Sequence, residues 1–283
     1  MKVLVLGATG MAGHMISLYL HEAGHDVTAF SRSDFPYVNH IKGNATNLPL
    51  LMEVVEKNSY NFIINAIGIL NKDADTNKDE AVLLNSYLPH FLSKATKERN
   101  TRIIHMSTDC VFSGKRGNYL EHDFPDGATF YDRSKALGEL DNTKDLTFRN
   151  SIIGPDMHKS GIGLFNWFMQ QDGPIGGYTG AIWTGVTTIT LAKAMERAMG
   201  CNLVGIYNLV NNETITKYDL LKLFNKHFRE ETVKIEPNDS FIADKSLRNT
   251  RMDFDFHIPS YETMILEMKE WIEGHKELYK HYF

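Results

Sequence analysis

Residues 2–13 read KVLVLGATGMAG: a short apolar run, then Gly7, Gly10 and Gly13 at three-residue spacing, then the start of a helical pattern over 11–23. Strand, glycine loop and helix in that order form the entry to a parallel α/β sheet and, more narrowly, to a dinucleotide-binding fold. The first glycine permits a tight turn, the second lets backbone approach a pyrophosphate, and the third allows close helix–strand contact. The helix N-terminus adds free N–H donors. A tight turn built from small residues is the structural alternative, and the order of the three elements favours the dinucleotide reading.

Working outward, 26–30, 61–66, 102–106 and 146–150 are nearly continuous apolar runs, as strands buried on both faces should be. Helical patterns lie between them at 48–57, 79–99 and 131–141, the second with Ala81, Leu84, Leu88, Leu92 and Ala95 on one stripe. The expected fold is α/β, a Rossmann-type doubly wound parallel sheet over 1–150 with a smaller C-terminal lobe over most of 151–283. Glycines and prolines from Gly154 to Gly177 break 151–182 into loops around a short helix at 164–170. A helix follows at 187–199, then a strand at about 203–210 that returns to the main sheet, then helices at 216–228 and 260–279. The loops at 151–182 are where a substrate region is expected.

Composition excludes several functions. Thirty Lys+Arg against 35 Asp+Glu give a net charge of −5 with no basic run, so neither nucleic acid nor an anionic membrane is an expected partner. The longest apolar run, Phe62 to Leu70, is too short to span a bilayer. The first residues read as a strand running into glycines rather than as a leader, and Cys110 and Cys201 offer neither a disulfide framework nor zinc spacing. A soluble protein of the reducing cytoplasm is expected, and a homodimer is allowed. None of the 12 histidines has ligand spacing, so no metal is expected, and His105 inside its strand reads as a satisfied core residue.

The second strand ends Phe30-Ser31-Arg32-Ser33-Asp34, where the simplest Rossmann pattern has an acidic residue for the adenosine 2′-hydroxyl. Arg32 suits a 2′-phosphate instead, which favours NADPH, while Asp34 leaves use of NADH open. Further along, Tyr131 and Lys135 are four residues apart and share a helix face, so that an ammonium can tune the phenol for acid–base work. On its own such a pair is more often a solvated helix face. Upstream, Ser107-Thr108-Asp109 sits at the carboxyl end of a strand, where either hydroxyl can meet a substrate carbonyl.

With GATGMAG at 7–13, NAIG at 65–68, STDCVFSG at 107–114, YLEHD at 119–123 and YDRSKALGE at 131–139, the chain resembles the extended short-chain dehydrogenase/reductases. Within them it is most similar to the dTDP-4-dehydrorhamnose reductase branch. The resemblance implies Thr108, Tyr131 and Lys135 as the catalytic set, with Asp109 as helper. It implies a cofactor site of Gly7, Thr9, Gly10, Met11, Gly13, Ser31, Arg32, Asn44, Ala45, Ala66, Ile67 and Gly68, shared with Tyr131 and Lys135. Asn44 stands where the family usually presents an acid to the adenine, and Asn85 matches an asparagine placed below the active site. Thr108, Asp109, Cys110, Val111, Phe112 and Trp183 would face the substrate, a nucleotide sugar.

Departures accompany the likeness. Cys110 replaces a common tyrosine and reads as a small buried thiol rather than a nucleophile. Asp132 replaces a frequent glycine, and Asn150 a small hydroxyl residue, neither touching the catalytic chemistry. Trp183, read as lying in a loop, is the better candidate for stacking on a base or sugar, Trp167 for lobe packing, and Trp271 for the core. The implied activity is NAD(P)H-dependent reduction of the 4-keto group of a nucleotide-activated 6-deoxy sugar, supplying surface-polysaccharide synthesis. An epimerase or dehydratase on the same framework is the alternative, disfavoured by Arg32 and by the lack of a second carboxylate after Asp109. A non-catalytic nucleotide-binding subunit is the other, disfavoured by the intact Thr108, Tyr131 and Lys135.

Overall fold

The computed structural model describes all 283 residues. Its elements are β1 (Lys2–Leu6), α1 (Met11–Glu22), β2 (Asp26–Ser31), β3 (Asn39–Lys42), α2 (Leu48–Lys57), β4 (Phe62–Asn65), α3 (Asn71–Thr76) and α4 (Lys78–Ala81). A π-helical turn (Val82–Tyr87) leads into α5 (Leu88–Ala95), β5 (Arg102–Met106), α6 (Phe130–Leu137), β6 (Leu146–Arg149), β7 (Ile152–Ile153) and α7 (Leu164–Met169). Then come β8 (Ile175–Trp183), β9 (Val186–Thr187), α8 (Thr188–Met199), β10 (Gly205–Asn208), β11 (Ile215–Thr216), α9 (Lys217–Phe228), β12 (Ile235–Asp244) and α10 (Tyr261–Gly274).

Seven strands form one sheet in the order β10-β6-β5-β4-β1-β2-β3, every pair parallel. The order reverses between β1 and β4, and the carboxyl ends of those two strands open the crevice where ligands of such sheets bind. Alternation along β1 splits the core in two. Val3 and Val5 join a cluster with Met15, Ile16 and Leu20 of α1 and Met195 of α8, while Leu4 and Leu6 join Leu51, Val55, Leu88 and Leu92 on the other face. Each such side chain, once buried, contributes about 1.5–3 kcal/mol against the entropy of ordering it. No helix is long and apolar enough to cross a membrane.

The main strands fall where the apolar runs place them, and three features differ. β3, with the sequence NHIK, has no apolar run to announce it and pairs only at the sheet edge. The helix expected over 79–99 is divided: Ala81, Leu84, Leu88 and Leu92 of its stripe are buried and Ala95 half-buried, but residues 82–87 form a π turn that includes Asn85. The largest difference lies in 151–182, where β8 begins at Ile175 in place of a loop and pairs in parallel with β12. Gly177 and Gly180 read as turn signals, yet they serve packing. A Cβ on Gly177 would stand 2.8 Å from Tyr218 of α9, and one on Gly180 would stand 2.9 Å from Ile242 of β12.

The returning strand β10 lies against β6, with Gly205 opposite Leu146, and its carbonyl edge is covered by Arg251, which donates to Val204 O at 2.7 Å and Ile206 O at 2.8 Å. The C-terminal region also reaches the glycine loop. Trp271 Nε1 donates to Tyr279 Oη at 3.1 Å, Tyr279 Oη donates to His14 Nε2 at 2.9 Å, and His14 Nδ1 donates to Gly10 O at 3.0 Å. That direction follows from the acceptor-only carbonyl, which fixes His14 as the neutral Nδ1–H tautomer. Burial agrees, pushing the pKa of His14 down to about 4.

Tyr279→Phe leaves His14 Nε2 buried without its donor and should cost about 1–3 kcal/mol of stability in urea unfolding at pH 7.5. The pH dependence has a fixed sign, because the unfolded histidine takes its proton near pH 6.5 and the folded one near 4. The contribution of His14 is therefore complete above about pH 6.5 and is lost as pH falls toward 4. His14→Leu should give a shallower acid slope between those limits, and an unchanged slope would exclude His14 as its source.

Candidate active site

The glycine loop has the geometry its spacing demands. Gly7 has φ +84° and its N–H meets Phe30 O at 2.9 Å, while a Cβ on Gly13 would lie 2.1 Å from Gly7 O. Only Gly10 has an open side, with nothing nearer than 3.4 Å to a built Cβ. That open side faces a cavity of about 270 Å³ lined by Gly7, Thr9, Gly10, Ser31, Arg32, Asn44, Ala45, Ala66, Ile67 and Gly68. A cradle free of side chains at a helix N-terminus, continuing to a cation at the end of β2, fits a dinucleotide. Arg32 is exposed and makes no ion pair, whereas Asp34 is held by Lys42 at 2.9 Å. Ser31 is occupied structurally, bonded to Ser33 O and His40. Gly13 lies behind the wall, and Met11 faces the adjoining space.

That adjoining cavity, about 360 Å³, shares Gly10, Ala66, Ile67 and Gly68 with the first and extends to Thr108, Asp109, Cys110, Tyr131, Lys135, Asn150 and Ser151. Helix α6 sets the pair on it. Thr129 and Asp132 cap one another's backbone N–H groups at 3.1 Å each, so the residue standing where a glycine is frequent is a capping residue. Asn85 accepts from Ile69 N at 2.8 Å and donates to Ile69 O and to Ser134 Oγ. It ties the loop after β4 to α6, so it is a buried strut and not a surface residue. Ser107 is taken out of contention as a substrate donor, because its hydroxyl donates to Glu139 at 2.7 Å. Thr108 is left, donating to Asp109 Oδ1 at 3.1 Å and accepting from Cys110 N.

Burial dominates the electrostatics. It holds the Tyr131 phenol above its ordinary value, and neighbouring Cys110 adds to the rise while Thr108 opposes it. Lys135 is drawn down to about 8 by burial, with Glu139 working against that, and its Nζ donates to Met106 O at 2.6 Å. The expectation that this ammonium tunes the phenol downward is therefore not met in this arrangement; the lysine is engaged by backbone. The Cys110 thiol is pushed up to about 12, first by burial and next by Asp109, which removes it as a nucleophile. Burial likewise raises Asp109, against the pull of Lys217 and Lys245.

Three other expectations need correction. Val111 and Phe112 turn away from the cavity into a separate core with Tyr119, Val210 and Leu247, because the 3-10 turn at 109–111 rotates the chain. Trp183 ends β8 instead of lying in a loop, is 2% exposed, and packs on Tyr261, so it has no free face for a base. His105 is in the core but only half satisfied: Nδ1 meets Asn65 at 3.2 Å and Nε2 has no partner. Of the other tryptophans, Trp167 is exposed and Trp271 packs at the margin of the core. Asn150, set aside as chemically neutral, lines the cavity of Thr108, Tyr131 and Lys135 with both carboxamide atoms buried and unpaired. Lys217 and Lys245, in the C-terminal half, gave no signal in the sequence. No group of three or more His, Cys, Asp or Glu is placed to hold a metal.

Comparison with known proteins bears on the same half of the chain. Residues 1–151 match the model of the RmlD substrate binding domain. The probable low-salt glycan biosynthesis reductase Agl14 of Haloferax volcanii is 31% identical over 144 residues, covering 49% of this chain and 48% of that protein. The dTDP-4-dehydrorhamnose reductase of Aggregatibacter actinomycetemcomitans is 30% identical over 141 residues, 49% and 45% of the two chains. The chain thus spans about half the length of these relatives, while the Escherichia coli dTDP-4-dehydrorhamnose reductase aligns at 27% over 84% of this chain and 82% of its own. The fold is shared with the solved dTDP-4-dehydrorhamnose reductase of Bacillus anthracis in complex with NADP, at TM-score 0.78, 21% identity and coverage of 94% and 99%. Since the family model accounts for more than half of the 283 residues, the chain belongs to the RmlD substrate-binding domain family.

Proposed function

We propose that this protein is a nicotinamide-dependent reductase acting on the 4-keto group of a nucleotide-activated 6-deoxy sugar, with NADPH as its preferred cofactor. The observation that carries the reading is one continuous trough: the glycine loop and residues 66–68 line the same cavity as Thr108, Tyr131 and Lys135. The relatives named dTDP-4-dehydrorhamnose reductase support the substrate class, as does the Streptomyces niveus relative named dTDP-4-keto-6-deoxy-D-glucose reductase. A cytoplasmic setting suits the two free thiols.

When bound, the reduced nicotinamide supplies the hydride. The protein's task is to manage the charge that develops on the carbonyl oxygen. Tyr131 gives its phenolic proton to that oxygen, and a phenol kept protonated by burial is suited to the task at neutral pH and above. Thr108 is the second donor, turning its hydroxyl from Asp109 to the carbonyl and orienting it. Lys135, fixed between Met106 O and the cavity, holds the nicotinamide ribose and leaves a positive charge beside the phenolate that remains. Arg32 receives the 2′-phosphate, which its freedom from ion pairs allows, and Asn44 and Ala45 flank the adenine.

Tyr131→Phe keeps the ring but removes the transferable proton, so kcat should fall roughly 10²–10⁴-fold on an accepted 4-keto sugar while NADPH affinity stays close to wild type. Near-normal turnover would remove Tyr131 as the acid. Arg32→Asp should weaken NADPH by roughly ten- to a hundredfold and NADH little. Unchanged selectivity in steady-state kinetics would mean that another group reads the phosphate. A screen of NADPH oxidation against 4-keto-6-deoxy nucleotide sugars tests the activity directly, and cofactor binding without turnover on any of them would overturn it.

A further inference from the structure

Of the residues holding a buried side-chain polar atom without a partner, Asn150 alone lines the trough, and it alone has two such atoms, Oδ1 and Nδ2. It is 2% exposed and directly follows Arg149, the last residue of β6. Side chains alternate along that strand. Leu146 and Phe148 join the core built with α1 and α8, whereas the Thr147 hydroxyl donates to Leu140 O and Arg149 pairs with Glu139, both in the segment after α6. Asn150 is next in the alternation and falls on the α1 side. Gly10, Met11 and Ala12 line the same cavity from that side, while Tyr131 and Lys135 enter it from α6.

An amide whose donor and acceptor are both unpaired away from water is costly, and an apolar side chain of the same shape removes the cost. Packing therefore gives no reason for an asparagine at 150, and the likeness described above has a small hydroxyl residue there, so the amide is particular to this chain. What an amide can do is meet a group that offers an acceptor and a donor side by side. The carboxamide of a nicotinamide is such a group, and two carboxamides pair through two hydrogen bonds at once. The ring has to lie between the glycine loop, which takes the phosphates, and the Tyr131 phenol, which faces the carbonyl to be reduced. Met11, Ala12 and Asn150 border that interval, and a sugar on the side of Thr108 and Tyr131 has the ring between itself and Asn150. We propose that Asn150 receives the carboxamide of the nicotinamide. This rests on the nicotinamide-dependent reading above. Both amide atoms are covered as the side chain stands, and the contact is made by a turn about its Cα–Cβ bond.

The test is calorimetric titration of the full-length protein with three ligands. These are NADP⁺ or NAD⁺, whichever binds more tightly; its 3-acetylpyridine analogue, in which a methyl group replaces the amide NH₂; and its ADP-ribose portion, which lacks the ring. The wild type should bind the analogue roughly tenfold less tightly than the parent cofactor. Asn150→Leu is close in shape and has no polar atoms. It should weaken the parent cofactor roughly tenfold or more, abolish its advantage over the analogue, and leave affinity for the ADP-ribose portion within about twofold of wild type. Unaltered affinity for the parent cofactor, or equal losses for it and for the ADP-ribose portion, would overturn the assignment. A raised KM for the sugar with cofactor affinity intact would overturn it in favour of a sugar contact. Should Asn150→Leu fold poorly, Asn150→Ala carries the same expectations. Failure of the wild type to bind either NADP⁺ or NAD⁺ would instead overturn the nicotinamide-dependent reading, and the role of Asn150 with it.

Discussion

The site depends on an ion pair that water does not reach. Arg149 and Glu139, 2% and 5% exposed, meet through two hydrogen bonds of 2.6 Å, Nε to Oε1 and Nη2 to Oε2. The guanidinium also donates to Glu121 O and lies over Phe112, and the carboxylate accepts from Ser107. Two charges withdrawn from water hold together only when each is fully partnered, and removing one typically costs about 3–5 kcal/mol. The pair joins the segment after α6 to the end of β6 and the start of the loop after β5, which are the three pieces that carry Lys135, Asn150 and Thr108. Position and charge therefore have one source, because the same Glu139 opposes the loss of basicity that burial imposes on Lys135.

Burial acts on the phenol and the ammonium in opposite directions along the pKa scale and to the same chemical end: both are biased toward their neutral forms. For the phenol this suits the proposed role of acid, and at about 8 the ammonium still carries its charge at neutral pH. In the proposed mechanism the phenol begins with its proton and becomes anionic only as that proton is given up. Asn85 serves the same site without touching the chemistry, because it holds the loop at 66–69 and the catalytic helix at a fixed separation through Ile69 and Ser134. Asn85 lies four residues after Ala81 and three before Leu88, on the buried stripe of the segment, within the π turn.

Much of this was legible in the chain itself, and the reasons separate cleanly. The buried strands and the glycine loop are local signals, since a strand buried on both faces must be apolar throughout and Gly7 must accept a positive φ. The Tyr131–Lys135 spacing is local too. What escaped was whatever depends on a distant partner. Gly177 and Gly180 look like turn residues until Tyr218 and Ile242 are seen filling the space that their side chains would need. Val111 and Phe112 follow the catalytic residues in sequence, yet one short turn sends them to a different core. Lys217 lies in an ordinary amphipathic helix, and only the pairing of β11 with β8 brings its ammonium over Trp183.

The position of β10 has a consequence for how such proteins diversify. Residues 205–208 complete the sheet beside β6, so the chain leaves the nucleotide-binding half, builds part of the second lobe, comes back, and leaves again. The two halves are stitched together in sequence although their tasks are separate in space. Exchanging the C-terminal segment at a single point near residue 150 would take β10 away from the sheet and expose the flank of β6, so variation between such chains is confined to changes that keep an outermost strand in place.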